Sequence, residues 1–165
     1  MRKEMTMRKA SFSLVVVVAA AILAAVAARA SDDRKPRVIH IQEHVTNATY
    51  VPVYTLVGGS GPSSQGDYIA FDDPDFDPNT GQQVGHNIGV CVLVDASTQI
   101  YSCPPVTFFL AGRGQIAVGG EFDGTGNPTT GPILYGTGEF QGASGTVRVQ
   151  ALNGTVNDFV FTLWR

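Results

Sequence analysis

All 19 glycines of this chain lie beyond residue 57, and from there on they cut it into short runs rich in β-branched and aromatic residues. Spacing of that kind leaves no room for long helices. Many short strands joined by Gly and Pro turns fold instead into a sandwich or a barrel. After the N-terminal region no stretch repeats its apolar residues at the helical period, and no internal repeat is present. Strands are expected at 38–46, 50–57, 66–71, 84–95, 99–111, 114–122, 132–136, 145–152 and 156–164. Asp95-Ala96-Ser97-Thr98 is the expected turn of a hairpin, and Ala111-Gly112-Arg113-Gly114 is the next reversal. Gly124-Thr125-Gly126-Asn127-Pro128 forms a longer loop.

Alternation assigns the faces, because successive strand side chains point to opposite sides. Ile39, Ile41, Glu43 and Val45 share one face, and His40, Gln42 and His44 the other. In the fourth strand Gly85, Asn87, Gly89, Cys91 and Leu93 oppose Val84, His86, Ile88, Val90, Val92 and Val94. Both faces of that strand are apolar, more than a lone barrel needs, and a subunit interface over the Val90-Val92-Val94 face accounts for it.

The N-terminus reads as a secretory leader. Arg2, Lys3, Arg8 and Lys9 precede an apolar run from Phe12 to Ala27, and Ala28-Arg29-Ala30 offers a small-x-small cleavage site before Ser31. The alternative is an uncleaved anchor, although the run is short and Ala-rich for a span. Residues 31–36 are a charged tail, and 37–165 form the one folded domain. Five basic residues but only one acid, Glu4, leave with residues 1–30, so six basic and thirteen acidic residues remain. A chain so acidic repels phosphate backbones, which argues against nucleic acid as a partner. Cleavage of the leader also leaves no membrane segment, so the mature protein is expected outside the cell, in the periplasm or in the cell wall.

Glu43 is the first candidate for chemistry. A carboxyl among Ile39, Ile41 and Val45 is desolvated, which raises its pKa and suits it to proton transfer near neutrality. The competing reading has it reach solvent or pair with an arginine such as Arg148. Cys91 admits two readings, a thiol lining a cavity or half of a disulfide with Cys103. The acidic run Asp72-Asp73-Pro74-Asp75-Phe76-Asp77-Pro78-Asn79 alternates its carboxylates, but counted from Asp73 the EF-hand positions for glycine and glutamate hold Pro78 and Val84. It reads as a solvated loop, with a weak calcium site as a minor option. His40 and His44 lie about 13 Å apart on a strand, too far for one metal ion. No metal and no cofactor is expected.

Several stretches together resemble the allene oxide cyclase and dirigent protein superfamily of small antiparallel barrels. They are Gly66-Asp67-Tyr68-Ile69-Ala70-Phe71, the segment Val84 to Val94, the segment Gly114 to Gly120, and Ile133 to Gly145 with its Gly-Thr-Gly-Glu-Phe-Gln-Gly-Ala-Ser-Gly run. The likeness spans nearly the whole mature chain. It implies an eight-stranded barrel, assembled as a homotrimer, with an apolar cavity open at one end. By motif, Glu43, Pro52 and Cys91 match the cyclase branch, where these positions line the cavity. Val45 and Val51 stand where that branch has asparagine and serine, Asp73 replaces an asparagine, and Phe122 replaces a tyrosine. The dirigent branch shares export, an Asp-Asp-Pro turn like Asp72-Asp73-Pro74, and an acid in the first strand. The arginine it carries in the glycine-rich segment is absent here, where Gln141 and Ser144 stand.

The resemblance implies a barrel that binds a hydrophobic small molecule and steers its cyclisation or coupling. Glu43 then exchanges the proton, while Pro52, Asp73, Cys91 and Phe122 bind and shape the substrate. The alternatives are a lipocalin-like carrier without chemistry and a structural protein whose interior is filled with side chains.

Overall fold

The computed structural model describes residues 35–46, 48–51 and 64–164. The leader, most of the charged tail, Asn47, Pro52 and the rest of the 50–57 strand therefore lie outside the described residues.

The described chain is all-β. Its strands are β1 (Arg37–His44), β2 (Thr49–Val51), β3 (Tyr68–Phe76), β4 (Gln83–Asp95), β5 (Ile100–Leu110), β6 (Gly114–Asp123), β7 (Thr129–Gly136), β8 (Ser144–Asn153) and β9 (Val156–Trp164). They pair antiparallel in the order β1-β9-β8-β7-β6-β5-β4-β3, and β1 pairs with β3 to close an eight-membered ring. The short β2 continues along the same edge of β3, so β1 and β2 act as one interrupted stave. Among the described residues no helix is long and apolar enough to cross a membrane.

Only the end of the acidic run, from Asp77, is a loop. β3 continues through Asp72 to Phe76, pairing Asp73 with Asn87 and Pro74 with His86. The period of two turns Asp73 and Asp75 into the barrel, where both are buried, and leaves Asp72 outside against His86. A proline is tolerated there because β1 and β2 are interrupted beside it, so no ladder partner requires its missing N–H. The Asp73 carboxylate bridges that gap by accepting the Thr46 backbone N–H at 2.5 Å. Asp72 thus faces the opposite side of one strand from Asp73 and Asp75, while Asp77 accepts the Asn79 backbone N–H in the turn that follows. Among the described residues no cluster of three His, Cys, Asp or Glu is placed to hold a metal ion.

One end of the barrel is packed solid. Phe108 meets Phe159 and Phe161 edge-on, each at 5.0 Å between ring centroids, and Ile41, Ile116 and Leu163 fill the space around them. A single 3₁₀ turn, Gly138–Phe140, which the sequence reading did not anticipate, lowers Phe140 over this end. The Arg37 and Arg113 guanidinium groups lie over its ring and both bind Glu139. The glycines of the Gly-Thr-Gly run make that plug possible. Gly138 has φ +60°, and a Cβ at Gly136 would lie 2.4 Å from the Phe140 carbonyl oxygen.

Cys91 and Cys103 form a disulfide between β4 and β5. It joins the strands where their ladder is interrupted, between the pairs Ile88–Thr107 and Val92–Ser102. Pro104 and Pro105, which follow Cys103, have no N–H to offer that ladder. A covalent link replaces the missing hydrogen bonds. On the outside of β4, Ile88, Val90 and Val94 are each close to 40 % exposed.

Candidate active site

The other end of the barrel is hollow. A cavity of about 430 Å³ opens there, walled by Ile69, Phe71, Val106, Val118, Val147 and Phe159 and by the Cys91–Cys103 disulfide. Gly89 helps to form the wall, because a Cβ there would come within 2.7 Å of the Phe71 ring that packs across it.

Glu43 faces this hollow with 4 % of its surface exposed, as alternation along β1 requires. Arg148 does not pair with it. That side chain bonds Gln150 on the outside of β8. Glu43 Oε2 instead accepts the Asn157 side-chain amide at 2.5 Å, and Asn87 also bonds the carboxyl. Burial pushes the Glu43 pKa above the usual carboxylate range; the Asn157 and Asn87 bonds oppose that shift, and the nearby Asp73 charge adds to it.

Asp75 lies behind Glu43. Its Oδ1 accepts the Asn87 amide at 2.8 Å, and both side chains are fully buried. Desolvation lifts the Asp75 pKa to about 7 against the Asn87 bond, and the charges of Glu43 and Asp73 add to the rise. No donor reaches Asp75 Oδ2 or Asn87 Oδ1. An acid that carries its own proton fits that environment better than a bare carboxylate does. With Asp75 lifted to about 7 and Glu43 raised above its ordinary value, this end of the barrel can both hold and give up a proton.

The remaining sequence candidates are placed as follows. Asp73 and Phe122 line the cavity with Glu43, and Cys91 lines it as a disulfide sulfur, so of its two readings the bridge with Cys103 is the one found. Pro52 is outside the described residues. Asn87, Asn157 and Asp75 were missed, although each shares strand parity with an inward residue: Asn87 with Cys91, Asn157 with Phe159 and Asp75 with Asp73. Tyr101, Gln99 and the exposed Glu121 add polar groups to the cavity wall.

No protein-family model matches the sequence, and no curated protein matches it. Solved structures do. A pyocyanin demethylase superposes with TM-score 0.63 at 21 % identity, over 77 % of this chain and 99 % of that one. A pterocarpan synthase dirigent protein gives 0.63 at 14 % identity, over 81 % and 97 %. An exo-specific intermolecular Diels-Alderase gives 0.60 at 15 % identity, over 78 % and 98 %. The chain therefore has the dirigent and allene oxide cyclase-like barrel fold, as its sequence resemblance implies.

Proposed function

We propose that this protein is an exported barrel that takes a hydrophobic small molecule into its cavity and steers its cyclisation or stereoselective coupling without a cofactor. The observation that carries the proposal is a buried glutamate with a raised pKa in the wall of a largely apolar hollow. Neighbours of the same fold include a Diels-Alderase and a pterocarpan synthase dirigent protein, which supports a ring-forming or coupling role. The substrate arrives already reactive: a strained ring, a diene with its dienophile, or a radical made elsewhere by a one-electron oxidant. The cavity then contributes confinement in one conformation, and Glu43 moves a proton at the reacting end. Asp73, Phe122 and the Cys91–Cys103 bridge shape the space. A second and third copy of the chain cover the Ile88-Val90-Val94 stripe in a homotrimer.

The test is turnover of a panel of epoxide, diene and phenoxy-radical substrates, scored by rate and product chirality. Rate enhancement with one enantiomer in excess supports the proposal. Tight binding with racemic product and no rate change would leave a carrier, and no binding at all would leave a structural barrel.

A further inference from the structure

The charged groups of this barrel are sorted along its axis. The described arginines of the barrel are Arg37, Arg113 and Arg148, and no lysine follows Lys35. Arg37 and Arg113 sit at the plugged end with Glu139, and Arg148 lies outside on β8. The histidines are also outside: His40 binds Asp158, His44 meets Phe76 at a tilt, and His86 binds Asp72. Among the described residues the cavity lining contains no basic side chain, whereas Glu43, Asp73 and Glu121 all belong to it. Behind Glu43 the fully buried Asp75 keeps an oxygen that no donor reaches.

On the reading that the cavity takes a hydrophobic ligand, we propose that its occupant carries a cationic nitrogen, an ammonium or a protonated heteroaromatic ring, seated against Glu43 and Asp73. The barrel correspondingly rejects hydrophobic carboxylates. A ligand carboxylate would be one more acid in desolvated space, with no base among the described lining residues to meet it: Arg37 and Arg113 are at the far end, and Arg148 points outward from β8. A cation supplies the charge the lining lacks, while the apolar walls take up its hydrocarbon skeleton.

Three probes on one skeleton separate the possibilities: 1-pyrenemethylamine, 1-pyrenemethanol and 1-pyrenecarboxylate, titrated against the intact protein by fluorescence near neutral pH. The amine should bind about tenfold or more tighter than the alcohol, and the carboxylate should bind weaker than the alcohol by a similar factor. Glu43→Gln should narrow the amine-to-alcohol ratio about fivefold, a ratio that misfolding cannot mimic because it removes both ligands together. Asp72→Asn, outside the barrel, should leave the ratio unchanged. If the carboxylate or the alcohol binds as tightly as the amine, the charge preference is wrong and the ligand-binding proposal stands. If none of the three binds, both fall.

Discussion

Asn87 donates its side-chain amide to Asp75 at 2.8 Å inside the barrel, and the same side chain bonds Glu43. One neutral residue on β4 thus connects two acids from β1 and β3. The arrangement keeps two carboxyls in a desolvated space that would otherwise push them apart. Glu43 faces the ligand space, and beyond burial the charge that raises its pKa is that of Asp73.

Glu43→Gln should abolish most turnover, by about 10²–10⁴-fold, if the glutamate moves the proton in the rate-limiting step. Glutamine keeps the size and can still accept from Asn157, so the melting temperature should change little. Rates on whichever panel substrate the wild type converts, set beside thermal melts, check this. Unchanged rates would remove Glu43 from the chemistry.

Stability should fall as pH rises through neutrality. The Asp75 carboxyl titrates near 3.8 when unfolded and at about 7 in the barrel, so between those values the folded state holds more protons. Raising the pH therefore favours unfolding, by up to about 4 kcal/mol once both states are ionised. The raised Glu43 adds in the same direction. Asp75→Asn, which resembles the protonated acid, should flatten the slope between pH 4 and 8 and stabilise the protein at pH 8. Denaturant midpoints across that range are the measurement.

The disulfide is a structural element on this account. Replacing Cys91 and Cys103 together with alanine should cost about 2–4 kcal/mol, because it frees a short loop and leaves the Pro104-Pro105 interruption unstapled. Turnover by the folded fraction should persist. A thiol assay on the native protein should find no reactive cysteine.

The apolar stripe on the outside of β4 should govern assembly. Val90→Asp places a charge at its middle and should convert trimers to monomers in sedimentation analysis without unfolding the barrel. A wild-type protein that sediments as a monomer would contradict the homotrimer.

Much of the fold was legible because strand period and glycine punctuation are local signals. Glu43, Cys91 and the faces of β4 followed from parity alone. The acidic run misled for a physical reason: alternating carboxylates around prolines ordinarily mark solvated turns. Here the break between β1 and β2 frees β3 to carry Pro74, and Asn87 gives Asp75 a buried partner. Neither relationship is local in the chain, so no single segment displays it. The Phe140 plug was hidden similarly, since its two arginines come from β1 and from the β5–β6 turn.

The central claim is most directly tested by carbon-13 NMR titration of the Glu43 side-chain carboxyl, with and without bound 1-pyrenemethanol. The expected result is a midpoint above that of a free glutamate and a further shift when the ligand fills the hollow. A midpoint at the ordinary glutamate value, indifferent to ligand, would contradict it.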